Sequence, residues 1–584
     1  MGDVADVEAD ERIDSPGDAA GGPYPCSSSH RNIGHEISSQ AAEYIAVMSK
    51  LRVVDLRYFV GCVAVLGTVF AVPAVAQSAD TATQKCEALG STSLAGAKVT
   101  SAVVVPEKTA MSDAPLGAYT VRVMPAFCRV KVTDRPSADS EIKTEVWLPL
   151  AGWTGRVRGI GNGGFAGEMY FEQMAAGVKQ GSVAVATDTG HVGGTPGFAL
   201  GHPEKVKDFG WRGIHDMTVQ AKAIASAFYG KQVERSYFVG CSDGGREALM
   251  EAQRFPADYD GILAGAPAYN WTGLLAASAT DVFRLRSSEA ADLSPKKLPA
   301  ITAAVNAACD AKDGVSDGIL NDPRQCGFDP ATMACKGAEM DSCLTPPEVA
   351  SLKEIYAAKK LSSGQTIYPG YLPGAENAAG SWNVWLLGPG SAMVFFTAGY
   401  YGDFVYGQPD WKLSSFDLDR DYKLAVDKTA KALDATDTNL KPFVARGGKL
   451  LMYHGWNDPA IPALSSVEYY NGVMSAMGKK ATESAVRLYM VPGMLHCGGG
   501  PGATLIGGGE GIRGDAQHDV LTALEEWVED GKGPGDLIAS KFVDDDWSKG
   551  IGMTRPVCVY PKVVTYVSGD TKDAKSFSCV APAR

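Results

Sequence analysis

The stretch YFVGCSDGGREALM, Tyr237 to Met250, decides how the chain is read. Tyr237-Phe238-Val239 is a strand-like apolar run, Gly240-Cys241-Ser242-Asp243-Gly244 holds a glycine-flanked serine, and the residues beyond it can start a helix. A serine hydroxyl is a poor nucleophile until a base removes its proton and a turn presents it clear of its neighbours. The G-x-S-x-G pattern supplies the turn, because flanking glycines let strand and helix approach at a strained bend. Among 67 glycines the pattern alone is weak; the strand before it and the helix after it give it weight.

Outward from Ser242 the texture is α/β. Val183–Thr187, Gly261–Ala264, Lys449–Tyr453 and Val486–Val491 read as buried strands, and 214–229 and 518–528 have helical spacing. Strands alternating with helices predict a parallel sheet covered on both faces. Residues 77–150 read as short β-rich segments, with Ala118–Val123 as an example. Between about Tyr269 and Leu440 the alternation stops; this stretch reads as a domain inserted over the edge of the sheet where open α/β sheets bind ligands.

A base for Ser242 is expected downstream, in the order serine, acid, histidine. Of eight histidines, only His454, His496 and His518 follow the serine. His496 lies in a glycine-flanked loop directly after a strand, as a general base requires, whereas His454 ends a strand and His518 opens a helix, which suits structural roles. Asp458, just past a strand end in His454-Gly455-Trp456-Asn457-Asp458-Pro459, is the acid that would orient the imidazole. One oxyanion N–H is expected from Asp243, the residue after the nucleophile, and another from the loop Gly161-Asn162-Gly163-Gly164-Phe165.

The net charge of −13 and the lack of a dense Lys/Arg block exclude a polyanion partner, and no nucleic-acid motif is present. Lys50, Arg52 and Arg57, the apolar run Tyr58–Val72 and Ala74-Val75-Ala76 describe a signal peptide over residues 48–76, with a mature chain from Gln77. Residues 1–47 read as a disordered extension. The expected location is secreted or periplasmic, with no stable membrane anchor after cleavage. Export gives the twelve cysteines meaning. Cys26 and Cys62 fall before the cleavage site; local partners for the rest are Cys86 with Cys128, Cys309 with Cys326, Cys335 with Cys343, and Cys558 with Cys579. Connectivity stays open at this level, but Cys241 abuts Ser242 and Cys497 abuts His496, so a Ser–His contact would bring them within bridging range.

Gly240-Cys241-Ser242-Asp243-Gly244-Gly245, the pair His496-Cys497 and Asp458 between them resemble the tannase and feruloyl esterase family of serine esterases. Arg254-Phe255-Pro256 through Gly265-Ala266-Pro267 adds to the likeness, which covers roughly Cys86 to Cys579. The resemblance implies an α/β-hydrolase core over residues 77–268 and 441–584, a lid domain over 269–440, all five disulfides including Cys241–Cys497, and a structural calcium ion in the lid. It favours Gly164, then Gly163, as the second oxyanion donor. The acidic run from Asp310 to Ile319 suits Ca²⁺ by its closely wound oxygens. The resemblance assigns the carboxylates of Asp310, Asp313 and Asp317 and the carbonyls of Val315 and Ile319 as ligands.

The same likeness places Trp385 at an acyl-binding position, with Phe395, Phe396, Tyr400 and Tyr401 as further candidates. The family's terephthalate-monoester hydrolase uses an arginine from this part of the lid, yet this chain has no Arg or Lys from Ser381 to Asp410. That departure favours neutral phenolic esters: feruloyl first, galloyl second, terephthalate monoester third. The expectation from another class is a calcium-stabilised extracellular binding protein without catalysis, against which the ordered Ser, Asp and His stand.

Overall fold

The protein is described here by a computed structural model over residues 74–582, apart from 389, 509 and 510. The expected extension, nearly all of the signal segment, Cys26 and Cys62 lie outside the described residues.

Strands β1 (Ala97–Val105), β2 (Phe127–Asp134), β3 (Ile142–Pro149), β4 (Arg156–Ile160), β5 (Val183–Thr187), β6 (Arg235–Cys241) and β7 (Gly261–Gly265) come first in the chain. A small hairpin, β8 (Lys359–Lys360) and β9 (Thr366–Tyr368), lies in the long helical stretch that follows. Then come β10 (Lys449–Gly455) and β11 (Val486–Val491). All of these except β8 and β9 make one nine-stranded sheet in the order β1-β2-β3-β5-β4-β6-β7-β10-β11. From β5 to β11 every pairing is parallel, and β1, β2 and β3 extend the sheet antiparallel. Strands covered on both faces need no polar side, and all five residues of both β5 and β7 are buried. The fold is that of an α/β hydrolase with a mixed sheet rather than a purely parallel one.

Register brings the site together. β5 and β6 flank β4 on opposite sides, so the loops leaving β4 and β6 diverge from neighbouring strands at a topological switch point. Ile160 at the end of β4 pairs with Val239, and Cys241 at the end of β6 pairs with Gly265. Gly455 at the end of β10 pairs with Val491 at the end of β11. The glycine loop, Ser242, Asp458 and His496 therefore all leave the same edge of the sheet.

Two segments depart from the β-rich reading of residues 77–150. Ala74–Ala88 is a helix, tied to β2 by the Cys86–Cys128 disulfide, and Ala118–Val123 is a short helix with no buried residue. The branched residues of the latter favour a strand, but the Glu172 carboxylate accepts from the Gly117 N–H and, at 2.7 Å, from the Thr120 hydroxyl, capping the turn. The closing helix is Val520–Asp530, begun by Asp519 accepting from the Leu521 and Thr522 N–H groups and ended by Gly531 at φ 72°. Its Glu525 and Glu529 pair with Arg156 and Arg158 at the start of β4.

Between β7 and β10 the chain is mainly helical and builds a core of its own around Trp271, Leu275, Leu352, Trp382, Tyr400 and Tyr401. That core is continuous with Phe165 and Ala166 of the glycine loop and with Ala460 and Ile461 beyond β10, so the inserted stretch is packed down onto the loops of the sheet edge.

Candidate active site

Ser242 sits between β6 and the helix Asp243–Arg254 with φ 66° and ψ −121°. A non-glycine residue held there costs on the order of 1–3 kcal/mol, and the surrounding glycines make it possible. A Cβ on Gly240 would meet the Gly244 carbonyl oxygen at 2.3 Å, and one on Gly244 would meet the Asn162 carbonyl oxygen at 2.7 Å. Strand, turn and glycine loop are thus as close as bare backbone allows.

His496 Nε2 is 2.9 Å from Ser242 Oγ, and His496 Nδ1 is 2.8 Å from Asp458 Oδ2. The other Asp458 oxygen accepts from the Ala460 and Ile461 N–H groups at 2.8 and 2.9 Å. Burial opposes ionisation of Asp458, but the His496 charge and the bonds from His454 and His496 outweigh it and hold the carboxyl below the usual carboxylate range. His454 is fully buried: its Nε2–H is shared between Asp458 Oδ2 (3.1 Å) and the Ile461 carbonyl (3.0 Å), while Nδ1 accepts from the Ser466 hydroxyl at 2.7 Å. It buttresses the acid and does not face the serine. His518 binds Asp515 at 2.6 Å, beside the closing helix. Cys241 and Cys497 are bonded, with their Cα atoms 6.0 Å apart, on either side of the Ser–His contact. The remaining bonds are Cys86–Cys128, Cys309–Cys326, Cys335–Cys343 and Cys558–Cys579.

The N–H of Asp243 opens its helix, and among the described residues neither it nor the N–H of Gly164 (φ 59°) has a protein acceptor. The glycine loop is held from both sides by residues that sequence reasoning missed. Fully buried Glu247, one turn past Ser242, accepts from the Asn162 N–H at 2.9 Å; burial and then the nearby Asp243 push its carboxyl well above the usual range. The His191 Nε2–H donates to the Phe165 carbonyl at 2.7 Å, and burial lowers this imidazole to about 4, so it is neutral. No motif marks either residue.

An aromatic wall faces the serine and histidine. Trp385 meets the His496 ring edge-on at 5.1 Å between centroids and lies parallel to Phe396 at 6.3 Å. Phe396 and Phe395 pack on Phe165 at 5.2 and 5.8 Å, and Phe396 is the ring that a Cβ on Gly164 would touch, at 3.4 Å. Phe395 is 45% exposed, at the rim. Tyr400 and Tyr401 are fully buried instead: Tyr400 bonds Thr429 at 2.7 Å and Tyr401 stacks on Trp411, so both belong to the core of the inserted stretch.

The acidic loop gathers its carboxylates around its own backbone. Asp310 accepts from the Gly318 N–H, Asp313 from those of Val315 and Asn321, and Asp317 from that of Ile319. Burial, with Asp317 and Asp310 as like charges, pushes Asp313 up to about 6 against those N–H bonds. These are oxygen donors of the hard type that a dication takes, but each is turned to a backbone N–H and, among the described residues, the three carboxylates do not close into one ion-sized cluster. Of the three carboxylates, buried Arg555 pairs with that of Asp317; it also donates to Asn321 at 3.1 Å and to the Thr571 carbonyl at 3.4 Å. The loop is distant from the triad in sequence but not in space: a Cβ on Gly493, three residues before His496, would lie 3.2 Å from the Ile319 side chain.

The family model for tannase and feruloyl esterase matches residues 128–580. An uncharacterized esterase of Xanthomonas campestris pv. campestris is 38% identical over 522 residues, covering 83% of this chain and 91% of the relative. A probable feruloyl esterase B-2 of Aspergillus flavus is 33% identical over 441 residues, covering 74% and 83%. The crystal structure of feruloyl esterase B from Aspergillus oryzae superposes with a TM-score of 0.79 at 29% identity, covering 85% of this chain and all of that one.

Proposed function

The chain belongs to the tannase and feruloyl esterase family and is a carboxylic ester hydrolase; from that premise we propose that it cleaves feruloyl and related phenolic esters through an acyl-enzyme on Ser242. His496 takes the Ser242 proton as Oγ attacks the ester carbonyl, and Asp458 orients the imidazole and stabilises the imidazolium. The N–H groups of Asp243 and Gly164 receive the developing oxyanion. His496 then returns the proton to the departing alcohol, and a water, deprotonated by the same imidazole, releases the aromatic acid. The observation that carries the substrate class is the position of Trp385 and Phe396 beside His496 and Gly164, where an acyl ring attached to the attacked carbonyl would stack.

The rings offer stacking and few donors or acceptors, which favours ferulate over the more hydroxylated gallate. The stretch from Ser381 to Asp410 holds no cation for a free carboxylate. Purified protein should hydrolyse methyl ferulate with the highest kcat/KM, methyl gallate less well, and the terephthalate monoester at least about tenfold worse, the scale of one missing charged contact. A preference for the terephthalate monoester would refute this substrate assignment. A chain without catalysis would give no burst of product from any of the three.

The Asp310–Ile319 loop holds a structural Ca²⁺ in this reading, through Asp310, Asp313, Asp317, Val315 and Ile319, and export follows from the signal segment. Stripping the ion at a calcium level 100 times its Kd should remove about 3 kcal/mol of stability. Because Ile319 packs on Gly493, activity should fall together with that stability. Asp313→Ala should lower both the melting temperature and the bound-calcium stoichiometry. Metal analysis of chelator-free protein that finds no calcium would exclude the site.

A further inference from the structure

We propose that Tyr119 and Trp547, with the charged side chains around them, form a binding surface for a neutral polysaccharide that carries the ester to the active site; this rests on the phenolic-esterase reading. The two rings come from opposite ends of the chain and lie 5.9 Å apart between centroids. They are 37% and 53% exposed, and Val123, Val543 and Ile551 beside them in sequence are 40–45% exposed. Two large exposed rings brought together from distant parts of the chain mark an interaction site.

The chemistry around the rings selects the partner. Arg122 and Lys179 lie 5.8 and 5.9 Å from the Tyr119 ring. The turn that presents Trp547 carries Asp544, Asp545, Asp546, Ser548 and Lys549, with Asp544 paired to Lys549 and Asp545 to Lys541, both at 2.9 Å. With Glu172, which accepts from Thr120, the residues around the two rings carry four cations and four carboxylates, so donors and acceptors are matched and there is almost no net field. A nucleic acid or an anionic membrane needs a basic surface. A sugar ring needs an aromatic face for its C–H groups and mixed polar neighbours for its hydroxyls, which is the composition found here.

The patch is linked to the active site by one short helix, Phe171–Lys179. Its last turn supplies Lys179 to Tyr119, and its first turn supplies Glu172 to Thr120. Tyr170, which precedes it and is 36% exposed, places its hydroxyl where a Cβ on Gly163 would be, 2.3 Å away. Nine residues of helix span about 13 Å. A chain whose ester carbonyl reaches Ser242 can therefore lie along this helix and reach the two rings.

Binding at a second point on the same polymer raises the effective concentration of its esters at Ser242 and adds nothing for a small ester. Trp547→Ala and Tyr119→Ala should each leave kcat/KM for methyl ferulate within about twofold, since exposed side chains contribute little to folding. Ferulate release from a feruloylated xylan should fall about five- to tenfold in each. In an affinity gel containing the xylan, Ser242→Ala protein should be retarded, and Ser242→Ala/Trp547→Ala should not be. Unchanged release from the polymer, absent retardation of the Ser242→Ala protein, or a dimer that Trp547→Ala dissolves while xylan binding is absent would each overturn the proposal. Failure of the wild type on methyl ferulate would instead sink the esterase reading, and the gel would still decide the surface by itself.

Discussion

Ser242→Ala and His496→Ala should each lower kcat for aromatic esters by about 10⁴- to 10⁶-fold, with melting temperature almost unchanged. The magnitude follows from how the group acts: Ser242, His496 and Asp458 form one hydrogen-bonded chain, so removing either of the first two abolishes the nucleophile or its base, and the oxyanion donors alone remain. Neither side chain supports the core; Ser242→Ala even leaves the strained backbone in place. His454 gives the internal contrast, because it touches the same Asp458 oxygen. Truncating it to alanine strands the Ser466 hydroxyl and the Ile461 carbonyl in a buried site, at about 1–3 kcal/mol for each group left unpaired. His454→Ala should therefore melt markedly earlier yet keep far more activity per folded molecule than His496→Ala. The reverse pattern, measured by thermal unfolding beside single-turnover kinetics, would exchange the roles of the two histidines.

Breaking the Cys241–Cys497 bond should have the second-largest effect, and it has two separable parts. The bond closes a loop across a sequence separation of 256 residues, for which the chain-entropy estimate is about 5 kcal/mol, an upper figure because strain and residual structure subtract from it. The catalytic part is distinct. Cys241 precedes Ser242 and Cys497 follows His496, so the bond spans the 2.9 Å contact between them. A misplacement of an ångström there can cost roughly a hundredfold in rate. A Cys241→Ala/Cys497→Ala protein should lose turnover at temperatures where circular dichroism reports it fully folded. Retention of normal kcat below its melting point would reduce the bond to a stabilising cross-link alone.

What the sequence made legible is what short-range chemistry encodes. The run from Tyr237 to Met250 could be read because an apolar strand, a serine between glycines and a helix start are all local signals, and β11 was visible as the run Val486–Val491, apolar but for Arg487. His496 stood out because so few histidines follow the serine, and its cysteine neighbour ties it to the cysteine beside Ser242. The parts that escaped are set by distant partners. Ala118–Val123 has strand composition but is capped as a helix by Glu172, more than 50 residues away. Glu247 looks like a surface helix residue until its carboxyl is found buried under the glycine loop. Arg555 reaches the acidic loop across more than 230 residues, and Ile319 reaches Gly493 only through the packing of the inserted stretch on the sheet edge. Tyr400 and Tyr401 share their neighbours' aromatic composition, and only burial separates core rings from those facing Ser242.

The acyl-enzyme itself is the direct test. Protein mixed with excess methyl ferulate, quenched in acid within the steady state and digested, should yield one peptide carrying a feruloyl group, with fragmentation placing it on Ser242. The same experiment with His496→Ala should show almost no adduct on that timescale, since the serine is no longer deprotonated. A feruloyl group found on another residue, or turnover of methyl ferulate with Ser242 never acylated, would contradict the account.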